Sequence, residues 1–465
     1  MKQLLPLTCL LITLALFSCK KDSFITSGDA RLNISTDSLR FDTVFTSTGS
    51  VTQSFKIRND NEQMLRLSSV KLMGGSSSPF KININGTAAN ELSNIDIAAE
   101  DSIYIFVSVT VNPTAANLPF ILSDSISIQF NGNQRWVQLE AYGQNARFMN
   151  GTIITGNTTW DNSKPYVILD FLNVAAGATL TILPGTKIYA HANAPVIIDG
   201  TLNATGTAAN KIVFAGDRLD APYKDYPAGW PGIIFRSSSL NNHLQFTHIK
   251  NAYQAIITDQ PAANANPKLS MEQCMIDNAF DAGILSINSS ITASNLLISN
   301  CANNIAIQGG GLYNFTHCTA ASFSNNFLLQ KTPVLSVSNY VLQNGAPVFS
   351  NLQAFFTNCI FWGDNGFVEN EIVINKEGAT IFTVNISNSL YRSAADPANA
   401  TLTNVIRNQD PLFDSIDVSN RYYDFRHTKS PAPGLETGIA TPINKDLDNN
   451  NRPVGLPDLG CYEKQ

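Results

Sequence analysis

Two stretches of this sequence hold residue types that could do chemistry. The first, Asp217 to Gly232, carries Asp220, Tyr223, Lys224, Asp225, Tyr226 and Trp230 in one polar, aromatic segment. Aromatic rings offer flat apolar faces, and the Asp and Lys side chains can hydrogen-bond sugar hydroxyls. Long loops on rigid scaffolds commonly carry function. The competing reading is that these rings pack over the side of the scaffold, Trp230 above all. The second stretch is Asp446-Leu-Asp448-Asn-Asn450, with the 1, 3, 5 oxygen spacing of a calcium loop. The glycine expected at position six is Asn451, and no Glu stands at position twelve. A turn clamped by Arg452 is the alternative. Calcium is the one metal with a candidate site, and no other cofactor is expected. His243 and His248 are five residues apart; on a strand that spacing puts them on opposite faces, so they would not converge on a metal.

A third cluster, "CMIDNAF" at 274–280, places Cys274, Asp277 and Asn278 close together, but its neighbours explain it. "FTHIKNAYQAI", "EQCMIDNAFDAGI" and "SNLLISNCANNI" share one frame. Ile249, Ile276 and Ile298 align, as do Asn251, Asn278 and Asn300, and then Ala252, Ala279 and Cys301. The steps are 276 − 249 = 27 and 298 − 276 = 22 residues, in the range of one coil of a repeat architecture. Asn278 is therefore expected to do structural work: asparagine tolerates the left-handed backbone of a sharp turn, and stacked amides can bond from coil to coil. "FTHCTAASF" and "FTNCIFWGD" continue the frame more loosely and put Cys318 and Cys359 on the Ile249 column. The cysteines read as small buried side chains.

The elements that would position these residues are short strands. From about residue 174, Gly177, Gly185, Gly200 and Gly206 punctuate β-runs with no helical periodicity. Residues 30–145 differ. Runs such as "QSFKIRN", "LRLSSVKL" and "SIYIFVSVTV" alternate and are separated by Asn- and Gly-rich turns, about seven strands in the pattern of an immunoglobulin-like sandwich. Charged residues make up 14% of the 465 and the net charge is −6. With no basic stripe, nucleic acid is not an expected partner.

The N-terminus, "MKQLLPLTCLLITLALFSCKKDS", has one early lysine and an apolar run shorter than the about 20 residues a spanning helix needs, and reads as a secretory signal peptide. Leu16-Phe17-Ser18-Cys19 resembles a bacterial lipobox. That resemblance implies cleavage before Cys19, lipidation of Cys19 and, with no Asp directly after it, an outer-membrane anchor. Residues 30–145 resemble Ig-like modules of bacterial surface proteins. The run from Val174 and the motif Trp230-Pro231-Gly232-Ile233-Ile234-Phe235 resemble right-handed parallel β-helix proteins of the pectin-lyase-like fold. The tail resembles the C-terminal tail of such proteins through Asp446, Arg452, Pro453, Pro457, Asp458, Gly460, Tyr462 and Glu463. Asp42-Thr43-Val44 and Asp101-Ser102-Ile103 are similar to bacterial O-glycosylation sites.

The expected architecture is all-β: a signal peptide at 1–18, a lipidated tether at 19–29, an Ig-like β-sandwich at 30–145, a right-handed parallel β-helix at 146–410 and a C-terminal capping tail at 411–465. Many β-helix proteins cut polysaccharides, but the Asn-Thr-Asp, Asp-Asp, Gly-His-Gly and Arg-Ile-Lys motifs of the pectin hydrolases are all missing here, and no catalytic residue is assigned. The expected function is a lipid-anchored, adhesin-like or glycan-binding surface module. Its expected partners are outer-membrane lipid and a polysaccharide or another surface component. A polysaccharide lyase or hydrolase and a purely structural envelope protein are the alternatives.

Overall fold

The computed structural model describes residues 23–45, 50–111, 120–364, 366–429 and 431–465. Cys19 and the segment expected to be a signal peptide, residues 1–18, lie outside the described residues. The chain divides into two compact units between Asn145 and Ala146. Among the described residues the helical turns are three-residue 3-10 pieces, Gly75–Ser77 and Tyr223–Asp225, and no helix is long and apolar enough to cross a membrane.

The first unit is a sandwich of two five-stranded sheets. One holds Leu32–Ile34, Gln53–Asn59, Ser102–Val109, Phe80–Ile84 and Thr87–Ala88, all antiparallel. The other holds Ser38–Phe45, Asn133–Gln144, Phe120–Phe130, Leu65–Leu72 and Glu91–Ile97; its first pair is parallel and the rest antiparallel. Strand alternation sends Ile57, Ile82 and Val107 from one sheet and Leu67, Ile128 and Leu139 from the other into a single core. In Leu65–Leu72 the buried positions are 65, 67, 70 and 72. That change of parity falls at the register shift between Leu67 and Ser69, where a bulge lets both halves face inward. Glu91–Ile97 is a strand the sequence did not announce, because only Ile95 and Ile97 in it are buried.

The second unit is a parallel β-helix. Its first sheet stacks 11 parallel strands, from Arg147–Met149 to Ile406–Arg407. A 17-stranded parallel sheet bends to form the other two faces. The second face includes Ile233–Phe235, Gln254–Asp259 and Leu335–Ser338. The third includes Asn242–Gln245, Leu269–Glu272 and Leu352–Thr357. Two long strands, Ala282–Ser294 and Asn303–Thr316, run across the corner between them.

Each coil sends apolar side chains into one continuous core. Ile249, Ile276 and Ile298 do stand in register, followed by Ala320 and Phe361. The frame proposed for Cys318 and Cys359 is corrected by two residues. Each directly precedes the strand residue that pairs in register, as Cys274 does before Met275, so all three share a column beside the Ile249 column. The residues before them, His317 and Asn358, take the left-handed turn, which displaces the frame read from "FTHC" and "FTNC". Cys274, Cys301, Cys318, Cys359 and Cys461 are buried and unpaired. Burial pushes the thiols of Cys274 and Cys461 up to about 12, so they behave as small apolar groups.

Two columns of left-handed residues turn the corners. The first is Asn251, Asn278 and Asn300, at φ 60, 58 and 52°. Asn278 Nδ2 donates to Asn251 Oδ1 at 2.8 Å, so the expected amide ladder exists. Asp277 belongs to the same ladder: it faces Lys250 in register and accepts the Ser299 hydroxyl at 2.8 Å. The second column is Phe246, Gln273, Asn295, His317, Asn358 and Asn388. Several of its side chains reach the C-terminal tail. Gln273 Nε2 donates to Asp446 O at 2.8 Å, Asn295 Nδ2 to Lys445 O at 2.7 Å and Asn358 Nδ2 to Ile439 O at 2.8 Å. The tail thereby covers the outer face of the first sheet, where Leu297, Ile360 and Leu390 join Phe413, Phe425, Leu459 and Tyr462 in a second core of this unit.

Candidate glycan-binding cleft

The insert singled out by sequence is built as a brace. Arg218 makes two hydrogen bonds to the Asp220 carboxylate, at 2.7 and 2.8 Å. Its guanidinium lies 3.8 Å from the Tyr223 ring centre. Tyr223 meets Tyr226 edge-on at 5.4 Å, Tyr226 meets Phe327 at 4.7 Å, and Arg421 of the tail lies 4.7 Å from the Phe327 ring. Arg421 then pairs with Asp225 at 2.7 Å. The Asn ladder holds the same insert from beneath, Asn251 donating to Lys224 O at 2.6 Å and Asn278 to Asp225 O at 3.0 Å. Asp220, Tyr223, Asp225 and Tyr226 are thus brought together, with much of their polar capacity spent within the chain. Tyr223 stays 46% exposed, and Lys224 is exposed.

Trp230 is corrected as a ligand residue. It is fully buried, donates Nε1–H to Lys250 O at 3.0 Å and stacks on Phe214, so no face remains for a ligand. Its place in the rung motif explains this, since the motif sends the ring inward to fill the coil.

The calcium-spaced residues form a closed turn. Asp446 accepts the backbone N–H of Asn450 at 2.7 Å and of Glu463 at 3.1 Å, and burial pushes its carboxyl pKa up. Asp448 is held by Arg426, Nε to Oδ2 at 2.9 Å. The clamp is therefore Arg426 and not Arg452, which is buried against Glu463 at 2.8 Å and Asn295 at 2.6 Å. A cation here would have to displace the Arg426 guanidinium. Among the described residues no group of three or more His, Cys, Asp or Glu side chains is placed to hold a metal ion.

The brace leads to a cleft that sequence reasoning missed. Phe327 belongs to a loop whose start, Phe323, packs against Phe413, Tyr423 and Phe425 of the tail. Phe323 and Trp362 line a cleft of about 620 Å³ together with Asp364, Glu369, Arg392 and Asp410. Asp364 is fixed by the backbone N–H of Ser324 at 2.7 Å and of Gly366 at 2.8 Å. Asp410 accepts the Leu412 N–H at 2.8 Å. Behind the wall, Glu371 is fully buried and pairs with Arg392 at 2.7 Å, and it also accepts from Gln330 Nε2 at 2.7 Å. Burial pushes the Glu371 pKa up, and Arg392 opposes the shift. Gly363 makes room for this pair, because a Cβ there would fall 1.9 Å from Glu371 Oε1. The signal in the sequence was Trp362 at an outward strand position followed by the acidic loop "GDNGFVENE".

The chemistry of this cleft is that of a hydroxyl acceptor. Trp362 and Phe323 supply apolar ring surface, and the acidic side chains accept hydrogen bonds. Among the described residues of the lining, the one cationic side chain, Arg392, is committed to Glu371 and to the Val368 carbonyl. Polyuronates would meet like charge here.

No protein-family profile matches the chain, and no curated protein does. Solved structures show partial likeness. A family 123 glycoside hydrolase from Clostridium perfringens aligns at 12% identity and a TM-score of 0.18, covering 24% of this chain. The chain spans 25% of that hydrolase's length. An ASH/PapD-like domain of human CEP192 aligns at 7% identity and a TM-score of 0.18, over 28% of this chain and 92% of that domain. The alkylpurine DNA glycosylase AlkC of Pseudomonas fluorescens aligns at 10% identity and a TM-score of 0.16, over 25% of this chain and 31% of its own.

Proposed function

We propose that this protein is a lipid-anchored outer-membrane module whose β-helix binds a neutral glycan without cleaving it. The observation that carries the reading is the cleft of Phe323, Trp362, Asp364, Glu369 and Asp410. Ring surface flanked by hydrogen-bond acceptors suits a hydroxyl-rich, uncharged ligand. The lipobox-like Leu16–Cys19 supports the anchor, with Cys19 as the lipidated residue. The braced insert, through Tyr223, Lys224 and Tyr226, supports the cleft by holding the Phe327 loop, and it extends the binding surface beside it.

The non-catalytic part of the reading rests on Glu371. A general acid works with a raised pKa while touching its substrate; here the raised carboxyl, Glu371, is walled off from the cleft. Glycoside hydrolysis is the second reading, favoured by the three acidic side chains in the cleft. Affinity electrophoresis through gels cast with neutral, acidic or cationic polysaccharide tests the proposal. Retardation by a neutral polysaccharide is expected, with about a tenfold loss for Trp362→Ala, the scale on which one aromatic platform acts. Equal mobility of wild type and variant in every gel would refute it.

A further inference from the structure

A second cleft, of about 560 Å³, lies at the corner where the second face of the β-helix turns into the third. Its floor is built rigidly. Gly309, Gly310 and Gly311 carry the corner at φ 72, 99 and 116°, a conformation that only glycine adopts freely. At Gly311 a Cβ would lie 2.1 Å from Ser289 O. The fully buried Tyr313 ties the corner together, its hydroxyl accepting the Ser289 N–H at 3.1 Å and donating to Gly310 O at 3.0 Å. The opposite wall is the loop of residues 261–267. Asn264 and Asn266 fasten it, each donating to Asn241 Oδ1, at 3.0 and 2.9 Å.

Among the described residues, the lining of this cleft contains no ionisable side chain. Its open groups are the amides of Asn314 and Gln353 and the hydroxyl of Thr292, and none of the three makes a side-chain hydrogen bond among the described residues. They lie on three successive rungs: Thr292 faces Asn314 in register, and Gln353, on the next rung, faces Leu312, two positions from the Thr292–Asn314 column. The interval between rungs is the roughly 4.8 Å strand spacing. Leu312 and Ile381, 46% and 60% exposed, stand beside the amides.

We propose that this cleft is a second binding site, which takes a neutral oligosaccharide whose chain crosses the rungs. An amide both donates and accepts, as a hydroxyl does, so Asn314 and Gln353 can each satisfy a pair of sugar hydroxyls. Leu312 and Ile381 suit the C–H face of a sugar ring. The absence of charge selects the ligand class: an anion or cation entering the cleft loses hydration and gains no counter-charge. The inference does not depend on the Trp362 cleft.

The test is calorimetric titration of the full-length protein with maltohexaose, cellohexaose, xylohexaose and mannohexaose. Wild type, Trp362→Ala and a variant that adds Asn314→Ala and Gln353→Ala to Trp362→Ala are compared. At least one hexasaccharide is expected to bind Trp362→Ala protein, and to bind the variant with the added amide substitutions about tenfold more weakly. That affinity is also expected to be nearly the same at about 50 mM and about 500 mM salt, since no charge pair contributes. Gln353→Glu, at an exposed position, is expected to weaken binding without altering thermal unfolding, which guards against a folding artefact. Failure of all four sugars to bind, or binding that the amide substitutions leave unchanged, overturns the second site. Loss of all binding in Trp362→Ala also overturns it, while leaving the first cleft standing.

Discussion

His317 shows how one side chain holds two parts of this molecule together. It sits in a left-handed turn at φ 53° between the third face and the first sheet, and is fully buried beneath the tail. Nδ1–H donates to Asp458 O at 3.2 Å, and Nε2 accepts from Asn358 Nδ2 at 3.0 Å. These partners fix a neutral ring, and burial, followed by Arg452, lowers its pKa to about 3. The unfolded ring titrates near 6.5. Between those values the unfolded chain binds the extra proton, so stability is lost as pH falls from about 6.5 to about 3, by up to about 4 kcal/mol. His317→Asn keeps a residue type that the column already uses, and it should flatten the acid limb of a stability–pH curve measured by urea unfolding. An unchanged limb would contradict the assignment. Arg392 is a second such residue. Arg392→Met would strand the buried Glu371 carboxylate, and a loss of about 3–5 kcal/mol is expected in the same assay.

The two left-handed columns also show what the sequence disclosed at this scale. Asn251, Asn278 and Asn300 were legible because one residue type recurs beside recurring isoleucines. The parallel column of Phe246, Gln273, Asn295, His317, Asn358 and Asn388 was not, because Phe246, Gln273 and His317 interrupt its asparagines and only the backbone conformation is common to all six. The misplaced frame of Cys318 and Cys359 has the same origin.

Among the elements, the insert of residues 217–232 has its role set by partners far along the chain. Its composition marked it as a polar aromatic loop. That Tyr226 packs on Phe327, and that Asp225 pairs with Arg421, depends on which coils and which part of the tail share one side of the solenoid. Periodicity gives the coils but not the neighbours of their loops. Tyr226→Ala and Arg421→Ala should each release the insert while leaving the coils intact. Faster tryptic cleavage after Arg218 and Lys224, with unchanged circular dichroism, is the expected outcome; cleavage at the wild-type rate would show that the brace does not hold the loop. The tail follows the same logic. Its motif residues were legible, yet Asp446, Arg452, Asp458 and Glu463 serve to fasten it along the first sheet, by bonds such as Gln273 to Asp446 O and Arg452 to Asn295.

For the whole molecule, the sandwich pattern and a repeating coil were both readable from strand alternation and coil period, because a strand that buries one face must alternate and a stacked coil must repeat; that the coil is a parallel β-helix was legible through its resemblance to that fold. The clefts were less legible. Trp362 and Glu369 share one coil, but Phe323 comes from an earlier coil and Asp410 from a later one, and only the stacking brings these to Trp362. We propose a binding role for the β-helix and no hydrolytic one. The most direct measurement incubates the full-length protein with a panel of neutral, acidic and cationic polysaccharides, following retention, new reducing ends and unsaturated uronate absorbance in the same samples. Retention of a neutral polysaccharide that Trp362→Ala weakens is expected, with no new reducing ends and no unsaturated product. Cleavage of any polysaccharide, or retention confined to the acidic ones, would contradict it.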